Sequence, residues 1–230
     1  RSRRLYGANT FQYAPYSMRQ HQRDGGPTDG DLPEELDAFV GRSAELAGLA
    51  RALDAGRLVT VTGAGGVGKS RLAARAAARR APRDGVWRVE LSPVRDAEFV
   101  DYAVVEALGL TDRTARLPRE TLLAHLAGRQ LLLVLDGFEH LVEACAELVG
   151  ELLREVPGLR VLAVGRRPLD LAGERVFPLA PLDTDDAVRL LTERAALHGT
   201  PVADGGDVRE LCRRLDGIPL AIELAAARLR

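Results

Sequence analysis

Between Arg57 and Arg80 a short strand, a glycine loop and a helix follow one another without a break, and this order constrains the fold more than any other part of the chain. Leu58-Val59-Thr60-Val61-Thr62 is apolar and β-branched, as a buried strand should be, and Ser70 to Arg80 is rich in strong helix formers. The loop between them, Gly63-Ala64-Gly65-Gly66-Val67-Gly68-Lys69-Ser70, fits the phosphate-loop pattern GxxxxGK[ST]. In such a loop the backbone N–H groups wrap an anion, the lysine reaches the β and γ phosphates, and the helix N-terminus adds its partial positive charge. An ordinary turn between a strand and a helix is the plain alternative. The chain's use of charge argues against it: 32 residues are basic, and the only lysine is Lys69. A lysine is a compact point charge, whereas the planar fork of an arginine would not fit the same space. Gly63, Gly65, Gly66, Val67, Gly68, Lys69, Ser70 and Arg71 are therefore candidate binding residues for ATP or ADP.

The rest of the chain alternates. Strands are expected near 58–62, 86–91, 131–135, 160–165 and 175–179, with helices near 43–55, 70–80, 97–108, 118–127 and 139–155. This pattern predicts an α/β fold with a parallel sheet covered on both faces. Beyond Pro181 the periodicity is helical only (183–198, 207–215, 218–230), so a small all-helical subdomain should follow. The expected division is a nucleotide-binding domain over 37–180 and a helical lid over 181–230. Residues 1–36 read as a linker or tail from a preceding domain. They hold Tyr6, Tyr13, Tyr16 and Met18, then the glycine and aspartate stretch 24–31, and the start without Met suggests a piece of a longer protein. Residues 1–23 carry five arginines and no acid, which leaves open a basic arm against nucleic acid. A net charge of -1 gives no global case for nucleic acid or membrane, and no apolar run is long enough to span a bilayer. Cys145 and Cys212, in helical stretches without metal-ligand spacing, read as reduced core thiols of a cytoplasmic protein.

Leu131-Leu132-Leu133-Val134-Leu135-Asp136 has the pattern of a central buried strand ending in one carboxylate. Ligands of open α/β sheets lie at those carboxyl ends. Asp136 and Ser70 are thus the candidate Mg2+ ligands, although an aspartate there could instead cap the next helix. A hydrolysing site also needs a group that orients or deprotonates water. Gly137 can do neither, so Glu139 is the candidate, with His140 beside it; either could face the phosphate or simply open the next helix. The missing acid at 137 predicts slow turnover. Arg166, at the end of Val161-Leu162-Ala163-Val164-Gly165, stands where a γ-phosphate sensor would be placed, or is an ordinary surface arginine.

Taken together the chain resembles the NB-ARC group of STAND ATPases, of the ASCE P-loop class, found in plant resistance proteins, the apoptosome and large bacterial transcriptional regulators of SARP or LuxR type. The resemblance rests on Phe39-Val40-Gly41-Arg42, the phosphate loop, Leu135 to Leu141, Val164-Gly165-Arg166-Arg167-Pro168-Leu169 and Gly217-Ile218-Pro219-Leu220 to Ala227. It implies that Val40 and Arg42 contact base and ribose, that Pro219 packs on the adenine, and that the Arg166 strand separates the Asp136 strand from the phosphate-loop strand. It implies a slow ATP/ADP switch that controls self-association or adjoining effector domains, with DNA met only through a domain outside this chain and no membrane partner. Two departures stand out: Gly137 replaces the family's frequent Asp or Asn, and the winged-helix domain that normally follows is not expected before residue 230, so the helical lid reads as truncated. An AAA+ motor is the nearest rival, and it would want an Asp-Glu pair where Asp136-Gly137 stands. A small-molecule kinase would need an acceptor site and base that the sequence does not display.

Overall fold

The structure, a computed structural model, describes residues 39–110 and 116–229. The tail read over residues 1–36 lies outside these described residues. Five parallel strands form one sheet in the order β2-β3-β4-β1-β5, with β1 Leu58–Thr62, β2 Val86–Glu90, β3 Leu131–Asp136, β4 Leu159–Val164 and β5 Arg175–Pro178. β4 separates β3 from the phosphate-loop strand β1, as the resemblance implies.

β3 is buried along its whole length, which explains its unbroken apolar run. Leu131, Leu133 and Leu135 point to one face of the sheet, where they join Cys145, Leu148, Val149 and Leu152 of α5 (Val142–Glu155) and Leu122 and Leu126 of α4 (Pro118–Leu126). Leu132 and Val134 point to the other face, toward Leu46, Leu49 and Leu53 of α1 (Ser43–Ala55) and Leu72, Ala73 and Ala76 of α2 (Lys69–Ala78). Burying each such leucine or valine contributes about 1.5–3 kcal/mol, so the two aliphatic cores hold the sheet almost without aromatic residues. A short turn of 3-10 helix, Ala97–Phe99, leads into α3 (Val100–Ala107).

Among the described residues, only helices follow β5: α6 (Thr184–Leu197), α7 (Gly206–Arg214) and α8 (Pro219–Ala226). Asp183 caps α6 by accepting the Asp186 N–H, and proline opens α8, where its missing N–H costs nothing. Ala187, Leu190, Leu191, Ala195, Cys212, Ile222 and Ala226 form a third core, which also takes in Val40 from before α1.

α1 keeps its expected bounds of 43–55, while two later helices differ from expectation. α1 has no side-chain cap: Arg42, at φ 64°, is its N-cap residue and Ser43 is already helical. The helix expected from residue 139 begins at Val142, because Glu139 and His140 lie in a turn closed by the Leu141 N–H to the Phe138 carbonyl. α8 ends at Ala226, short of the expected extent to 230. Cys145 and Cys212 are both free and buried, in keeping with the core-thiol reading. No helix among the described residues is long and apolar enough to cross a membrane.

Candidate functional site

The carboxyl ends of β1, β2, β3 and β4 open into a cleft of about 440 Å³ lined by Gly65, Gly66, Lys69, Ser70, Arg88, Glu90, Ser92, Asp136, Gly137, Glu139 and Arg166. Lys69 heads α2 and turns back over the loop, donating to the carbonyls of Gly63 (3.0 Å) and Ala64 (2.9 Å). Burial pushes its amino group below the ordinary lysine range; Glu139 and Asp136 work against that shift and Arg166 adds to it. The three charges that sequence reading placed around the phosphate are thus near enough for the lysine to feel each of them.

Ser70 Oγ donates to Asp136 Oδ1 at 2.9 Å, and Asp136 is buried. A hydroxyl and a carboxylate oxygen at this separation are a hard-oxygen pair suited to Mg2+, which characteristically takes one or two protein oxygens and completes its octahedron with phosphate and water. The donor set therefore fits the metal. The other oxygen of Asp136, Oδ2, accepts from Arg88 Nη2 at 2.7 Å, and the same nitrogen donates to Glu90 Oε2 at 2.8 Å. Glu90 Oε1 accepts from Ser92 Oγ (2.5 Å) and from the Ser92 N–H (3.3 Å). Glu139 lines the cleft, while His140 Nε2 turns to the Val94 carbonyl at 2.5 Å.

A second, narrower groove on the other side of the loop is lined by Phe39, Val40, Arg42, Val67, Gly68, Arg71, Leu72, Leu182, Leu190 and Pro219. Arg42 is buried; its guanidinium donates to Glu45 (2.8 Å) and to the Val67 carbonyl (3.4 Å), so it braces the loop as well as lining the groove. The lid reaches the loop through its backbone: the Leu220 N–H donates to the Gly66 carbonyl at 3.2 Å. Gly66 has φ 73°, and a Cβ there would meet the Leu220 side chain at 2.8 Å, so only glycine permits this approach. Arg71 of α2 and Arg194 of α6 both donate to Glu223 Oε1 of α8, at 3.3 and 3.2 Å.

The structure therefore gathers the predicted residues into two adjoining sites, one with Gly65, Gly66, Lys69, Ser70, Asp136, Glu139 and Arg166, the other with Val40, Arg42, Val67, Gly68, Arg71 and Pro219. Gly63 lines neither and serves through its carbonyl. Sequence reading missed Arg88, Glu90 and Ser92; the available signal was their place at and just past the end of a predicted strand, where cleft residues belong.

Comparison with known proteins places the class: residues 38–164 match the AAA ATPase domain family, and the chain belongs to it. The Asp136-Gly137 pair, which on sequence alone weighs against an AAA-type domain, does not exclude it. Over 179 residues the chain is 45% identical to the "Putative HTH-type transcriptional regulator Rv0890c" of Mycobacterium tuberculosis; the match covers 76% of this chain and 20% of that protein, so the chain spans about a fifth of that relative. Among solved structures the fold is similar to the Walker-type ATPase paby2304 of Pyrococcus abyssi, with a TM-score of 0.61 at 17% identity, over 82% of this chain and 67% of that one. It is also similar to a Signal Transduction ATPase with Numerous Domains (STAND) protein with a tetratricopeptide repeat sensor from Pyrococcus horikoshii, with a TM-score of 0.59 at 17% identity, over 87% of this chain and 32% of that one. The chain is a P-loop ATPase domain with a parallel α/β sheet.

Proposed function

We propose that this domain is an ATP/ADP switch of NB-ARC/STAND type, acting in the cytoplasm within a larger transcriptional regulator, where it controls self-association or the output of adjoining domains. The observation that carries the reading is the seating of the helical lid on the phosphate loop. Leu220 bonds the Gly66 carbonyl, Pro219 shares a groove with Val40 and Arg42, and Glu223 ties α8 to the helix that follows the loop. A lid that touches the loop's backbone can respond to what the loop holds, and different contacts in two nucleotide states are what a switch requires. The name of the mycobacterial relative supports a regulatory setting, with DNA met through a helix-turn-helix region outside this chain.

In this reading Lys69 and the loop amides hold the β-phosphate, the base and ribose lie in the groove of Val40, Arg42, Arg71 and Pro219, and Arg166 meets the γ-phosphate. Ser70 and Asp136 hold Mg2+, which when bound neutralises phosphate charge. With no acid at 137, hydrolysis is slow and the product is retained. The nucleotide released when purified protein is denatured should be ADP, and Lys69→Ala should abolish retention while circular dichroism shows the sheet still folded. Wild-type protein that carries and binds no adenine nucleotide, or a Lys69→Ala variant that retains it equally, would overturn the proposal.

A further inference from the structure

Among the described residues the cleft holds two carboxylates besides Asp136, and they are held in different ways. Glu139 follows β3 in a turn, and of the carboxylates acting on the Lys69 amino group its influence is the larger.

Glu90 comes from β2, where the strand register places it beside Asp136. One nitrogen, Arg88 Nη2, bridges the two carboxylates at 2.8 and 2.7 Å, and Ser92 fixes the other oxygen of Glu90 through its hydroxyl and its N–H. Gly137 completes the arrangement. It has φ 76°, and a Cβ there would run into Ser92 Oγ and lie 2.9 Å from Glu90 Oε1. The space in which a side chain after Asp136 would begin is already taken by Glu90 and the serine that holds it. Glycine at 137 and glutamate at 90 are two halves of one arrangement, in which the acid is carried by the neighbouring strand.

We propose that Glu90 is the catalytic base of this cleft, the carboxylate that orients the attacking water and takes its proton. This rests on the reading of the cleft as an ATP-hydrolysing one. The water oxygen forms a bond to the γ-phosphorus as one of its protons passes to a Glu90 carboxylate oxygen. The bond from the γ-phosphorus to the bridging oxygen breaks, and its electron pair stays with the β-phosphate of ADP, beside Lys69. The proton on Glu90 then leaves with inorganic phosphate. Three donors already engage Glu90, so few lone pairs are left for water and turnover is slow.

The test compares Glu90→Gln with Glu139→Gln in single-turnover hydrolysis of bound ATP, alongside ATP affinity from a fluorescent analogue and the pH dependence of the rate. The expected result is that Glu90→Gln slows hydrolysis by about 10²-fold or more at unchanged affinity. It should also remove the acid limb of the pH–rate profile, and Glu90→Asp should recover part of the rate. Glu139→Gln should slow hydrolysis less than Glu90→Gln does, with its loss showing in ATP affinity through Lys69. The inference is overturned if Glu90→Gln keeps the wild-type rate or its acid limb, if it loses affinity along with rate, or if only Glu139→Gln loses the rate. Wild type that binds ATP and never hydrolyses it defeats this inference alone, whereas wild type that binds no nucleotide defeats the switch reading and this with it.

Discussion

Glu223 is the point at which the lid can be loosened with least damage to the phosphate site, because its carboxylate joins three helices and lines neither cleft nor groove. In Glu223→Ala two charge-assisted hydrogen bonds to Oε1 are lost. The Arg71 bond links side chains 36% and 29% exposed, so solvent screening holds its worth to about 0.2–1 kcal/mol. The Arg194 side chain is only 7% exposed, and losing a partner of a buried charge costs about 1–3 kcal/mol. The lower half of that range applies, because 3.2 Å is longer than the best charge-assisted bonds. The expected loss of stability is about 2 kcal/mol, read by urea denaturation. The part acting across the seam between lid and loop, about 0.5 kcal/mol, speeds ADP release about twofold; if the whole loss goes into lid opening, the factor is about thirty. Release of a fluorescent ADP analogue, followed by stopped flow, should fall between these limits. Glu223→Gln, which keeps an acceptor and loses the charge, should show a smaller effect on both measurements. Destabilisation of the expected size with unchanged release would refute the claim that α8 holds the nucleotide, and unchanged stability would refute the energetic reasoning.

Lys69 and Cys145 give two further expectations. Burial disfavours the charged form of Lys69, so its pKa in the free protein is below the ordinary value of 10.5. Phosphate favours the ammonium, so nucleotide binding restores it and takes up a proton at pH values between the lowered pKa and the ordinary one. ADP affinity should therefore fall as pH rises through that window, and calorimetry in buffers of different ionisation enthalpy should show proton uptake; proton release, or an affinity flat to about pH 10, would contradict this. Burial pushes the Cys145 thiol up to about 12 and raises Cys212 as well, so at mildly alkaline pH neither supplies a thiolate. Iodoacetamide should leave both untouched in the native protein and alkylate both after denaturation, and native labelling of Cys145, read by mass spectrometry, would show that its core opens.

Much of the fold could be read from local pattern because its central elements are locally consistent. β3 is apolar throughout since both its faces are covered, and the glycine loop needs residues that no other turn would gather. The errors lie where distant contacts decide. Glu139 looks like the opening of a helix, but it sits in a turn, with Phe138 before it driven into the core. Arg88 and Glu90 read as the polar residues of an ordinary strand end, and only the β2–β3 register puts them on Asp136. The bond from Leu220 to Gly66 runs between backbone groups, so no side chain announces it.

That bond acts on the orientation of a peptide plane. The Gly66 carbonyl and the Val67 N–H belong to one planar unit and point in opposite directions. Leu220 grips the carbonyl end, while the Val67 N–H makes only a 3.4 Å bond to the Ala64 carbonyl. Lifting the lid frees the plane to rotate, and the donor at its other end loses its aim. In the proposed switch, lid and bound phosphate would hold opposite ends of one rigid unit, and linkage would make the coupling reciprocal. If the domain is the switch proposed above, whatever factor a partner gains by capturing the raised lid it must also impose as weaker phosphate binding.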